Sequence, residues 1–141
     1  MTAPTSLPTV LPASTLLALA RRGLVEASST DAPGERYATA HLAALRAAAA
    51  VLACRARPSA GLRRSRPTSA WVLLAGVAPE LAEWAGFFAA GARKRAAAEA
   101  GLPSAVTPRE ADDLVRDAET FLSVVETTLG LDGSQLLLAS G

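Results

Sequence analysis

Thr107-Pro-Arg-Glu-Ala-Asp-Asp-Leu-Val-Arg-Asp-Ala-Glu-Thr-Phe-Leu-Ser-Val-Val-Glu-Thr-Thr-Leu-Gly130 is the stretch whose reading decides the fold. Its opening is a capping box. The Thr107 hydroxyl can accept from the Glu110 N–H, the Glu110 carboxylate can accept from the Thr107 N–H, and Pro108 sits where a missing N–H is harmless. Ala111, Leu114, Val115, Ala118, Phe121, Leu122, Val125 and Leu129 then recur at helical spacing, and Gly130 ends the run. A helix with one apolar stripe has to lay that stripe on something, so the remaining segments are read as its neighbours.

Upstream, Pro79 opens a long helix to about Ala100, stopped by Gly101 and Pro103, with Leu81, Trp84, Phe88, Ala92 and Arg95 as its stripe. Thr68 or Ser69 caps a short helix, Ala70 to Ala75, and Pro58 to Pro67 is a loop. Pro33 suits the first turn of a helix running from about Glu35 to Arg57. Between Ala38 and Cys54 only Thr39, His41 and Arg46 are polar, so this second helix is either central in its bundle or shared with a partner chain. Ala47 to Ala50 would let a neighbouring backbone come close. Ser28 to Gly34 is a turn, and a first helix capped by Ser14 or Thr15 reaches about Ala27 with Leu16, Ala20, Gly23, Leu24 and Ala27 inward. Residues 1–13, with three prolines and no charge, form a flexible leader, residues 14–130 the bundle, and 131–141 a tail that frays or folds back.

Short connections between long amphipathic helices predict an all-α, up-and-down helical bundle of four long helices plus one short helix. The composition agrees. Half the residues are apolar but only six are aromatic, and alanine, the best helix former, supplies much of the total. Thirteen arginines against one lysine, with no isoleucine or asparagine, suggest a high-GC genome. The first twenty residues lack the positive start of a secretory signal, and no window holds about 20 uninterrupted apolar residues, so the expectation is a cytoplasmic protein with no membrane partner. Cys54, the only cysteine, is expected to be an inert, mostly buried thiol.

Chemistry-bearing residues are few. No Gly-rich phosphate loop, Ser-His-Asp set or metal-ligand spacing is found, and no cofactor is expected. His41 is the only histidine and follows Arg36 by five positions. A near-neutral imidazole can act as acid or base, and a guanidinium can stabilise phosphorane-like charge. Residues five apart on a helix are rotated by about 140°, so the two do not converge within one chain and would meet only across a dimer or at a ligand. The last helix gathers Glu110, Asp112, Asp113, Asp117 and Glu119 near its start, where carboxylates complement the helix dipole and face solvent. From Arg36 to Pro79 there are seven arginines and no acidic residue. Arg55, Arg57, Arg63, Arg64 and Arg66 fall within twelve residues, and Arg93, Lys94 and Arg95 form a second cluster. Such density suits phosphate contacts. The alternative is a solvated Arg-rich loop, docked on the acidic last helix, without aromatic residues to stack bases.

Three stretches carry a family resemblance: Glu35-Arg-Tyr-Ala-Thr-Ala-His-Leu-Ala-Ala-Leu-Arg46, Pro79-Glu-Leu-Ala-Glu-Trp-Ala-Gly-Phe-Phe88 and Thr107-Pro-Arg-Glu-Ala-Asp-Asp-Leu-Val-Arg-Asp-Ala-Glu119. In this order the chain resembles the HEPN domains (higher eukaryotes and prokaryotes nucleotide-binding), closest to a small actinobacterial branch, over roughly residues 14–130. Many members of that family are metal-independent RNases whose signature is an Arg, four to six residues, then a His. Arg36 and His41 have the spacing but not the place. The family's pair lies towards the last helix, with a polar residue after the Arg, whereas Tyr37 follows Arg36 and the pair opens the second helix. The region where the resemblance would put the pair, Arg93-Lys-Arg-Ala-Ala-Ala-Glu-Ala-Gly101, has no histidine. The reading is therefore a non-catalytic HEPN-like bundle that binds nucleic acid, RNA or DNA, or a nucleic-acid-processing protein such as a nucleotidyltransferase. The resemblance implies a homodimer, with which the apolar second helix agrees. The alternatives are a toxin-like RNase using Arg36 and His41 across a dimer, and a plain protein-interaction module.

Overall fold

A computed structural model describes residues 11–55, 69–102 and 104–130. Most of the leader, the tail from residue 131, and Arg57, Arg63, Arg64 and Arg66 lie outside the described residues. Every regular element among those described is helical: α1 (Ala13–Ser28), α2 (Pro33–Arg55), α3 (Ala70–Val77), a 3-10 turn (Pro79–Leu81), α4 (Ala82–Ala90), α5 (Ala92–Glu99) and α6 (Pro108–Leu129). The all-α bundle expected from the sequence is the fold.

α2 is the axis. It packs against α1, α3, α5 and α6, and Ala40, Ala43, Ala44, Ala47, Ala48, Ala50 and Val51 are all buried. Alanine at these positions removes the bulk that would hold neighbours away. At Gly23 of α1 an added Cβ would lie 3.3 Å from that of Ala43, so the two helices are about as close as side chains permit. α2 takes the central place in its own bundle, while Leu42, Leu45, Ala49 and Leu52 stay half-buried. By length and composition α2 would pass for a membrane-crossing helix, but its small apolar residues are used in packing against its own chain.

α6 follows its expected pattern closely. The capping box forms, with Glu110 N–H donating to Thr107 Oγ1 at 3.1 Å and Thr107 N–H to Glu110 Oε1 at 2.9 Å. Every expected stripe residue from Ala111 to Val125 is buried, and Gly130 ends the helix at a φ of 70° in the left-handed region. Three local expectations need correction. α1 starts at Ala13, with Pro12 before it and no side-chain cap, so Ser14 and Thr15 lie inside the helix, and Leu17 takes the deep position that Leu16 was expected to hold. Cys54 is exposed, because the last turn of α2 projects Ala53 and Cys54 away from its neighbours.

The third correction shapes the site. The run from Pro79 to about Ala100, expected as one helix, is a 3-10 turn and two helices divided at Gly91. A Cβ on Gly91 would meet the Tyr37 hydroxyl at 2.6 Å. Tyr37 is itself buried in the core at the start of α2. The Phe88 carbonyl at the end of α4 accepts from the Gly91 N–H at 3.1 Å, tightening the last turn. Close approach to α2, rather than chain flexibility, makes the break.

Gly91→Ala tests this, because two effects oppose each other. Alanine gains roughly 1 kcal/mol over glycine in a helix. Overpacking against a rigid phenol costs about 1–3 kcal/mol. The collision is expected to win, and denaturant unfolding should show net destabilisation. A more stable variant would mean that Tyr37 moves aside freely.

Candidate functional site

His41 faces the core. It is only 1 % exposed, and its Nε2–H donates to the Phe88 carbonyl at 2.9 Å, which fixes the tautomer because a carbonyl can only accept. The ring stacks on Tyr37 with centroids 6.3 Å apart and meets Trp71 and Phe88 edge-on at 5.9 and 6.0 Å. Its Nδ1 is buried without a hydrogen-bond partner among the described residues. Burial pushes the imidazole below its ordinary pKa, the Phe88 bond pulls it back up, and Arg95 and Glu99 act in opposite senses as weaker neighbours. At neutral pH this is a neutral, structural histidine that satisfies the end of α4.

Arg36 has different company. Its Nε donates to the Thr30 carbonyl and one terminal nitrogen to the Asp31 carbonyl, both at 2.9 Å, while the other terminal nitrogen reaches Asp112 at 2.7 Å. One side chain thereby ties the α1–α2 turn to the first turns of α6. The structure does not bring Arg36 and His41 together in this chain. One holds the bundle's edge and the other fills its centre.

The remaining basic candidates among the described residues are mostly neutralised in place. Arg55 pairs with Glu80 at 2.7 Å and also reaches the Val77 carbonyl, so it closes the end of α2 on the 3-10 turn. Lys94 pairs with Glu110 at 2.9 Å, and the Glu110 carboxyl is held below its usual range first by the Thr107 N–H and then by Lys94. Arg95 lies 3.9 Å from Glu99, and its Nε is buried without a hydrogen-bond partner among the described residues. Arg93 is exposed and makes no ion pair among the described residues.

A feature with little sequence signal of its own lies beside the Lys94–Glu110 pair, between α4 and α6. The rings of Trp84, Phe88 and Phe121 fill the space between α4 and α6, and above them a hollow of about 330 Å³ is lined by Glu83, Trp84, Phe87 and Asp117. A second hollow of about 270 Å³, lined by Tyr37, Phe87, Lys94, Glu110, Asp113, Leu114 and Asp117, shares Phe87 and Asp117 with it. The two form one groove. Phe87 is 46 % exposed although its neighbour Phe88 is fully buried. Asp117 is pushed above the usual carboxylate range, chiefly by burial and then by Asp113, with Arg116 opposing. The available signal was Phe87 itself, a large aromatic residue one step off the helical stripe.

Residues 27–126, from the end of α1 almost to the end of α6, match the family model described as SAV_6107-like HEPN. The chain belongs to this HEPN family. No curated protein and no solved structure matches it. The match spans both Arg36 and His41 and both walls of the groove, so the HEPN core carries each feature described above.

The buried state of His41 has a pH consequence with a definite sign. Its folded pKa is depressed below an unfolded value near 6.5, so the unfolded chain takes up the proton more readily. The stability contributed by keeping it neutral is fully present above pH ~6.5 and is lost as pH falls through the folded pKa. His41→Gln should remove this part of the acid-side loss in melting temperature measured from pH 7 to 5. An unchanged profile would show that other groups carry it.

Proposed function

We propose that this HEPN domain is a non-catalytic docking bundle that works by binding a protein partner. The observation that supports this most is the state of its only histidine. In the RNase members that the chain resembles, an Arg and a His must both reach RNA. Here the His41 imidazole is buried, committed through Nε2 to a backbone carbonyl and lowered in basicity, and Arg36 is committed to Asp112 and two carbonyls. Exposing His41 would mean opening the Trp71–Phe88 stack, whose centroids are 5.2 Å apart. Most cations that might have formed a phosphate-binding surface on the described residues already face carboxylates. A groove with exposed aromatic and acidic groups suits a protein rather than a nucleic acid.

For the homodimer implied by the resemblance, α2 offers only a partly covered face, with Leu42, Leu45, Ala49 and Leu52 half-buried. The exposed apolar residues Val72 and Leu73 of α3 offer a second copy a different surface.

The purified protein is expected not to cleave single-stranded RNA or tRNA in the presence of a chelator, and His41→Gln and Arg36→Ala should match it. Cleavage lost in both variants, with folding intact by circular dichroism, would overturn the non-catalytic reading and establish the RNase alternative.

A nucleic-acid reading is favoured by one observation, the arginine density between residues 55 and 66. Arg55 is engaged by Glu80, which leaves Arg57, Arg63, Arg64 and Arg66. If all four meet phosphates, binding to single-stranded nucleic acid should follow a log–log salt slope of about −2.8, at roughly −0.7 per contact. Arg63→Ala with Arg64→Ala should flatten it by about 1.4. No binding at ~50 mM salt, where phosphate contacts are strong, would leave the protein-docking reading alone.

A further inference from the structure

The hollow at the α4–α6 seam combines three properties. Trp84 and Phe87 stand at right angles, their centroids 6.4 Å apart and planes at 89°. Trp84 is held firmly, stacked on Phe88 at 6.0 Å and leaning on Phe121 at 5.5 Å. Glu83 and Asp117 line it as well, and neither makes an ion pair with any described residue. By contrast, the acidic residues farther along the groove are already matched, Glu110 by Lys94 and Asp113 by Arg116 and Arg109.

We propose that this hollow is a binding site for a cationic side chain, arginine or lysine, presented by a protein partner between Trp84 and Phe87. The π-systems of two rings and two carboxylates all favour positive charge, and each attraction strengthens as water is displaced. A volume of about 330 Å³ is at the lower end of ligand pockets and accommodates one long side chain with its methylenes. Burial and Asp113 both raise the cost of the Asp117 negative charge, a cost that an incoming guanidinium or ammonium would relieve.

The same chemistry argues against other occupants. Phosphates would meet Glu83 and Asp117 and be repelled. A second copy docking this face on its own counterpart would bring Glu83, Asp113 and Asp117 of each copy towards one another, with Lys94 the one cation among the described residues of the groove lining. An adjacent leucine or similar residue of the partner would cover the exposed face of Phe87. The proposal rests on the protein-docking reading and specifies the chemistry that such a partner must carry.

The test uses the full chain and a capped peptide of alternating leucine and arginine, followed by the indole N–H resonances of Trp84 and Trp71. A saturable shift of Trp84 with Trp71 unmoved is expected, and the same peptide with glutamate for arginine should give none. Phe87→Ala should weaken binding about tenfold, and Asp117→Asn about threefold, with melting temperatures retained. Absence of a shift at millimolar peptide, or equal affinity in both variants, would overturn the site. The combined variant Arg57→Ser, Arg63→Ser, Arg64→Ser, Arg66→Ser should leave the affinity unchanged. Tenfold tighter peptide binding in that variant would assign the hollow to the chain's own arginines and overturn the partner assignment. A dimer that Phe87→Ala converts to monomer in sedimentation would assign it to a second copy, with the same consequence. His41-dependent RNA cleavage would sink the non-catalytic reading without touching this titration, and a failed titration with no cleavage would remove only this site.

Discussion

Alanine along α2 governs how closely everything else in this bundle can pack. A buried alanine adds little apolar area of its own, so its value lies in distance: α1 comes down onto Ala43 at Gly23, and α6 lays its Leu114–Phe121–Val125 stripe against the same core. Dispersion attraction falls away over a fraction of an ångström, which makes such close helix contacts worth more than the size of their side chains suggests. Larger groups at Ala44 or Ala48 would push the partners out along the whole length of the bundle. The bulky residues therefore gather elsewhere, at the end where α3, α4 and α6 meet.

That end depends on one hydrogen bond and one missing methyl group. The run from Pro79 onward breaks at Gly91, where the Phe88 carbonyl accepts from the Gly91 N–H and, as a second bond, from His41 on the facing helix, while Tyr37 occupies the space that a side chain on residue 91 would take. The same contacts bury the imidazole and engage its Nε2. A histidine used as an internal hydrogen-bond donor is neutral, oriented and inaccessible, all of which oppose its use as an acid or base on a bulky substrate.

Charge is distributed with a similar economy. Arg36, Arg55 and Lys94 each join two elements that are far apart in sequence, with Asp112, Glu80 and Glu110 as partners. Ion pairs this exposed contribute little stability each, but they position the turns that frame α6. What they leave over is a groove whose unmatched groups are acidic and aromatic. The docking proposed for that groove is separate from the Arg–His chemistry of the RNases that HEPN domains include.

The helical class, the boundaries of α6 and nearly all of its buried face were legible in the sequence, because a capping box, a proline and a repeating stripe are local signals read within one element. The same holds for α2 from Pro33 and for α3 from Ser69. The angular separation of Arg36 and His41 also followed from helix geometry alone. Tertiary structure decided the rest. The break at Gly91 comes from Tyr37, more than fifty residues away, and no local pattern distinguishes that glycine from Gly86, which has open space around it. Whether α2 was covered by its own chain, whether Cys54 faced in or out, and which arginines were matched by carboxylates all depended on which elements came to lie beside them. The groove was hidden for the same reason: Phe87 and Asp117 are thirty residues apart, and only the packing of α4 over α6 sets them on one wall. Periodicity tells a residue which way it faces on its own helix, and only the assembled bundle supplies what it faces.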